Sequence, residues 1–102
     1  MIYVIAGIEL NEGCKDEFLE IFKGNVPKVR AENGCIKYEP TVDVDSGIPI
    51  QGALRENVVT IVEAWEGVDA LQAHLKAPHM LTYREQVKDL VKEIKIQVLE
   101  PA

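Results

Sequence analysis

The hydrophobic residues of this chain follow a two-residue period in four segments and a helical period in the stretches between them. The segments 2–10, 35–44, 58–65 and 94–98 alternate or run apolar as β-strands do. Between them, apolar side chains recur every three or four positions, as in amphipathic helices. The order β-α-β-β-α-β is that of the ferredoxin-like split βαβ motif. The sequence therefore predicts a single α+β domain over residues 1–102.

The second helical stretch is interrupted by Pro78, which cannot continue a helix without losing a hydrogen bond. A short helix is predicted over residues 67–77, and its apolar positions predict three side chains that face the core: Val68, Leu71 and Leu75. A second helix is predicted from about His79 to Lys92. The segment 45–57 contains two glycines and a proline, is long for a hairpin loop, and is expected to form an ordered arm.

The first and third strands are apolar on both alternating faces. In a sheet with both helical crossovers on one side, the opposite face would expose several valine and isoleucine side chains. Each of these left in water forgoes roughly 1.5–3 kcal/mol, and the sum exceeds the stability of a typical small domain. A second copy packed sheet to sheet removes this cost, so a homodimer that closes into an α/β barrel is predicted.

Composition excludes several classes of function. The formal charge of −6 repels phosphate backbones, so nucleic acid is not an expected partner. No apolar run is long enough to cross a membrane, and the N-terminal strand lacks the basic flank of a secretory signal, which predicts a cytoplasmic protein. Cys14 and Cys35 have neither the spacing nor the neighbouring histidines of a zinc site, and no metal is predicted.

Two residues on the third strand are candidates for chemistry. Glu63 lies two positions before Trp65, so both side chains point to the same side of the sheet. A buried carboxylate has a raised pKa and can act as a base; the alternative is a structural partner for a histidine or a backbone N–H. Trp65 either stacks on an aromatic substrate as a pocket wall or is a core tryptophan.

The helices after that strand supply further candidates. His79 stands at a helix start and is a candidate base, or else a packing residue tied to Glu63. His74 on the preceding helix either lines the same space or is half-exposed on the surface. Tyr83 fits the apolar stripe of its helix and is a candidate substrate contact. Arg84 either binds an anionic group of a substrate or is solvated.

An ordered set of short motifs resembles the antibiotic biosynthesis monooxygenase domain family. Its parts are the first strand Ile2-Tyr3-Val4-Ile5-Ala6, Glu17-Phe18, Glu32-x-Gly34-Cys35, Glu63-x-Trp65, Asp69-Ala70-Leu71-x-Ala73-His74 and Pro78-His79. The resemblance implies a dimeric α+β barrel with a pocket between sheet and helices in each subunit. It also implies, for some members, oxygenation of phenols or quinols without metal, flavin or other cofactor.

Two positions select among the branches of that family. The polyketide-oxidising branch has an asparagine four residues before the tryptophan, where this chain has Ile61. The haem-degrading branch has an asparagine on the first strand, and residues 2–10 contain none. The quinol-monooxygenase-like branch is the least contradicted. The resulting hypothesis is a cofactor-independent monooxygenase acting on a small aromatic substrate, with His79, Glu63 and His74 as catalytic candidates.

Two alternatives remain open at this stage. One is a dimeric module without catalytic activity that binds a small ligand or serves as a scaffold. The other is a haem-binding or haem-degrading protein that uses His74 or His79.

Overall fold

The predicted strands assemble into one sheet in the computed structural model, which describes all of residues 1–102. In chain order the elements are β1 (Ile2–Leu10), α1 (Lys15–Arg30), β2 (Cys35–Thr41), β3 (Val58–Trp65), α2 (Val68–Lys76), α3 (Pro78–Val87) and β4 (Val91–Leu99). The strand order is β2-β3-β1-β4, and every neighbouring pair is antiparallel. This confirms the α+β class and the ferredoxin-like order.

The core lies between one face of this sheet and the helices. Alternate residues of β1 are buried there, namely Ile2, Val4, Ala6, Ile8 and Leu10. Aromatic rings from three further elements fill the centre: Phe22 stacks on Tyr38 at 5.3 Å between centroids and meets the edge of Tyr83 at 5.6 Å. Such pairs add to the burial of large apolar surfaces.

The opposite face of the sheet carries no helix. Tyr3 and Ile5 on β1 point to this open face, and each side chain is 37% exposed. The predicted apolar character of both faces of β1 is therefore present in the structure. Pro40 lies on β2, an edge strand, where its missing N–H costs no central ladder bond.

The last helix ends earlier than the sequence pattern predicts. The pattern predicts a helix as far as Lys92, but α3 ends at Val87 and β4 begins at Val91. Val91 instead pairs with Leu10, and the N–H of Asn11 donates to the carbonyl of Leu90 at 2.9 Å. Pairing with β1 overrides the helical spacing of these residues. None of the helices is long and apolar enough to span a membrane.

The inward face of α2 also differs from the prediction. Leu71 is buried as expected, but Val68 is 50% exposed and Leu75 is 39% exposed. His74, three residues after Leu71, occupies the inward face instead. The helix is therefore rotated so that an imidazole, rather than a second leucine, enters the core.

The segment between β2 and β3 is longer than predicted, because β2 ends at Thr41 instead of continuing to residue 44. Arg55 ties the two ends of this arm together through Asp43, with a guanidinium-to-carboxylate distance of 2.7 Å. The same bonds lower the pKa of Asp43 to about 2. Five large apolar side chains of the segment between β2 and β3 are exposed: Val42, Val44, Ile48, Ile50 and Leu54.

Gly34 allows the turn after α1 to approach α2 closely. Its φ of +82° is in the left-handed region, and a Cβ atom there would lie 2.6 Å from the Cβ of Ala70. Its carbonyl also accepts a hydrogen bond of 2.8 Å from the N–H of Glu66. Gly34 therefore fixes the position of the residues just before it, including Glu32.

Replacing Gly34 with alanine is expected to lower the free energy of unfolding by about 2–5 kcal/mol. Roughly 1–2 kcal/mol comes from the left-handed backbone and about 1–3 kcal/mol from overpacking against Ala70. Gly47→Ala is the matched control, because Gly47 has a φ of +71° but open space around it. Urea titrations that gave equal losses for both variants would contradict the close approach.

Candidate functional site

A cavity of about 350 Å³ lies between the helix-facing side of the sheet and α3. Its walls are mostly apolar, and they include the aromatic rings of Phe22, Tyr38 and Tyr83. Besides the tyrosines, the lining residues with polar side chains are Glu63, His74, Arg84 and Lys88. Ligand pockets in proteins range from about 300 to 1,000 Å³, so this cavity suits a small molecule.

Glu63 enters the cavity from β3, next to Trp65 on the same side of the strand. Its Oε1 accepts a buried hydrogen bond of 2.9 Å from Nε1 of Trp65. Burial raises the pKa of Glu63 to about 7, the charge of Glu32 adds to the rise, and the bond from Trp65 partly opposes it. A carboxyl group with this pKa can both take and return a proton near neutral pH.

His74 enters the same cavity from α2. Its side chain is only 2% exposed and lies against Trp65, with 4.6 Å between ring centroids, and edge-on to Tyr38 at 5.3 Å. Burial lowers the pKa of His74, and the bond to Glu32 partly offsets this effect. The cavity is therefore lined by both a buried, uncharged imidazole and a protonatable carboxyl group.

Glu32 connects the two histidines and was not among the predicted site residues. Its Oε2 lies 2.9 Å from Nδ1 of His74 and 2.9 Å from Nε2 of His79. The turn at Gly34 places the Glu32 carboxylate within hydrogen-bonding distance of His74 on α2 and His79 on α3. The signal for it was present in the motif Glu32-x-Gly34-Cys35, but a glutamate after a helix end resembles an ordinary surface residue.

Neither His79, predicted as a candidate base, nor Trp65, predicted as a pocket wall or a core residue, lines the cavity. His79 starts α3 as predicted, but it is tied to Glu32 instead of Glu63, is 22% exposed, and borders a groove between α1 and α3. Trp65 is fully buried behind the cavity wall, where it holds Glu63 and supports His74. The half-exposed alternative for His74 is wrong, because this side chain is buried.

Tyr83 and Arg84 both line the cavity. The Tyr83 hydroxyl is a neutral hydrogen-bonding partner at neutral pH, and burial raises its pKa further. Arg84 is exposed and makes no ion pair with any carboxylate of the chain. No group of three histidine, cysteine, aspartate or glutamate side chains has an arrangement that could hold a metal ion.

The sequence matches the family model "Antibiotic biosynthesis monooxygenase" over residues 1–86. It is also 39% identical over 103 aligned residues to an Escherichia coli K12 protein named "Probable quinol monooxygenase YgiN", with 99% of this chain and 98% of that protein covered. The chain belongs to the antibiotic biosynthesis monooxygenase family. The resemblance drawn from the short motifs is thereby confirmed.

Solved structures support the same fold for this monooxygenase family member. PA3566 from Pseudomonas aeruginosa superposes with a TM-score of 0.81 at 23% identity, covering 99% of this chain and 93% of that one. Rv0793 from Mycobacterium tuberculosis gives a TM-score of 0.80 at 24% identity, covering 99% and 94%. At these identities the likeness concerns the fold.

Proposed function

We propose that the protein is a monooxygenase that uses dioxygen to oxidise a small quinol or phenol without a metal or organic cofactor. The observation that carries the proposal is the pairing, in one apolar cavity, of the buried Glu63 carboxyl with the buried His74 imidazole. Family membership supports oxygenation, and the name of the Escherichia coli relative supports a quinol as the substrate class.

The substrate supplies the electrons in this reaction. Dioxygen reacts slowly with closed-shell molecules, but an electron-rich phenolate passes one electron to it directly. The two radicals then combine, and a carbon–oxygen bond forms to give a peroxide on the ring. When the oxygen–oxygen bond breaks, one oxygen atom stays on the carbon, the other leaves as water, and the quinol ends as a hydroxyquinone.

His74 and Glu63 divide the proton transfers. His74, uncharged because burial lowers its pKa, removes the phenolic proton. Glu63, with its pKa raised to about 7, protonates the peroxide and then takes the ring hydrogen as the oxygen–oxygen bond breaks. The proton on His74 completes the departing water. Opposite pKa shifts in two groups of one site are a common feature of acid–base pairs in active sites.

The remaining polar side chains of the cavity orient the substrate. The apolar and aromatic walls exclude water from the phenolate and the peroxide. Arg84 lines the cavity from α3 and has no carboxylate partner in the chain. Its positive charge is proposed to stabilise the negative charge that develops on the substrate. The neutral hydroxyl of Tyr83 lies on the same helix, one residue away.

Oxygen consumption by the metal-free protein tests the proposal. Protein treated with a chelator is mixed with a panel of benzoquinols, naphthoquinols and catechols, and oxygen uptake is recorded with product identification by mass spectrometry. Uptake above the rate of autoxidation, with a product heavier than the quinone by one oxygen atom, is expected. Thermal stabilisation by these compounds without turnover would instead favour the small-ligand-binding module.

We further propose that the functional unit is a homodimer whose subunits meet through their open sheet faces. Tyr3 and Ile5 on β1 and Leu99 on β4 are exposed apolar residues of that face. Covering them removes apolar surface from water, and two-fold pairs are the commonest oligomers. Light scattering at micromolar concentration is expected to give twice the chain mass, and a monomer mass would contradict the dimer.

A further inference from the structure

We propose that Glu32 is the positioning residue of the cavity: it holds the His74 ring so that Nδ1 carries the proton and the bare Nε2 faces the substrate. This inference rests on the proposed function, because it assigns the direction in which His74 accepts a proton. The assignment follows from one carboxylate oxygen that lies 2.9 Å from each of two imidazole nitrogens.

The tautomer of His74 follows from the chemistry of its partner. An ionised carboxylate only accepts hydrogen bonds, so the nitrogen that faces Glu32 must carry the hydrogen. Nδ1 of His74 therefore donates, and in the uncharged ring Nε2 keeps its lone pair. Nε2 of His74 has no hydrogen-bond partner in the chain. It is not fully buried either, because the only buried side-chain nitrogen or oxygen without a partner is Oγ1 of Thr60. Nε2 is therefore accessible from the cavity that His74 lines.

Glu32 fixes the tautomer of the ring, and the packing around the ring fixes its plane. Trp65 lies against the ring, and Tyr38 meets it edge-on. Glu32 is itself held from the other side by Nε2 of His79, whose ring starts α3. The charged and titratable groups around His74 come from every neighbouring element: Glu32 after α1, Tyr38 on β2, Glu63 on β3, and His79 and Arg84 on α3.

Once His74 has taken a proton, the same carboxylate stabilises the resulting imidazolium. The proton comes from the substrate hydroxyl to Nε2, and the Nδ1–H bond to Glu32 becomes charge-assisted on both sides. Without Glu32, the buried ring can adopt the tautomer in which Nε2 carries the hydrogen. Nε2 then donates a hydrogen bond into the cavity and cannot accept a proton from the substrate. The role of Glu32 is therefore exerted through His74, without contact with the substrate.

Nitrogen-15 NMR tests the tautomer without any substrate. The chain contains only two histidines, so His79→Gln leaves a single imidazole and assigns the signals of His74. At a pH where His74 is uncharged, the wild type is expected to show Nδ1–H with a bare Nε2. Glu32→Met, which keeps the side-chain length but replaces the carboxylate with a weakly accepting thioether, is expected to populate Nε2–H. A wild-type ring in the Nε2–H form would overturn the inference.

Kinetics with an active quinol provide the second test. Glu32→Met is expected to lower kcat about 100-fold, with KM within about twofold, and Glu32→Asp is expected to recover part of the rate because it restores a carboxylate. Glu100→Gln, on the exposed C-terminal segment, is the matched control for loss of one negative charge. If the wild type is active and Glu32→Met has the same kcat, the positioning role of Glu32 is overturned and the proposed function stands. A wild type inactive on all quinols would overturn the proposed function, while the NMR result would still decide the tautomer.

Discussion

Replacing His74 with glutamine is expected to lower quinol-dependent oxygen uptake by roughly 10²–10⁴-fold, the usual contribution of a positioned general base. Glutamine fills a similar volume and can still hydrogen-bond to Glu32, but its amide cannot accept the phenolic proton. Because the substrate still fits, kcat should fall much more than KM rises. Stopped-flow oxygen measurements across a range of quinol concentrations separate the two parameters.

The His74→Gln measurement needs a control for the packing of α2, because His74 is almost fully buried. Gln72→Ala changes an exposed residue of the same helix and should leave the rate unchanged. Circular dichroism and thermal unfolding establish whether the His74→Gln variant stays folded. A folded variant with the wild-type kcat would remove His74 from the mechanism and leave Glu63 as the only base in the cavity.

The second large effect concerns stability and pH. The pKa of Glu63 is raised from 4.5 to about 7 in the folded protein, so the native state binds this proton more tightly than the unfolded chain does. The contribution of Glu63 to stability is therefore fully present below pH 4.5 and is lost as the pH rises through 7. At 1.36 kcal/mol per pKa unit, the loss above pH 8 is about 3 kcal/mol.

Glu63→Gln removes this titration and keeps an oxygen that can accept the bond from Trp65. Relative to the wild type, the variant is expected to gain about 3 kcal/mol of unfolding free energy between pH 4.5 and pH 8.5. Urea unfolding at several pH values measures this difference. Glu100→Gln, at an exposed position, should show no comparable change with pH. A parallel pH dependence of wild type and Glu63→Gln would mean that Glu63 is ionised in the native cavity at neutral pH.

Much of the fold could be predicted because local pattern and tertiary structure agree. The alternation of β1 and the apolar run Val58–Trp65 are strands in the sequence and in the structure. The end of α3 could not be predicted in this way. Val87, Leu90 and Val91 have helical spacing, and only pairing with β1, which is distant in sequence, converts Val91 into a strand residue.

The candidate site was predictable to a smaller extent, because its geometry depends on contacts between distant segments. Strand alternation was enough to place Glu63 and Trp65 on one side of β3. The hydrogen bond between His74 and the accepting Glu32 carboxylate joins residues 42 positions apart, and no periodic pattern in the sequence indicates it. The rotation of α2 that buries His74 instead of Leu75 likewise follows from packing, since both residues fit an amphipathic helix.

The wall that β4 gives to the cavity has a consequence for substrate choice. The cavity takes side chains from Val91, Ile94 and Ile96 on this strand, whereas the proposed acid–base pair comes from β3 and α2. The residues that form this wall are therefore separate from those proposed to handle protons. Substitutions at Val91, Ile94 or Ile96 can thus change the space offered to the substrate ring without replacing Glu63 or His74.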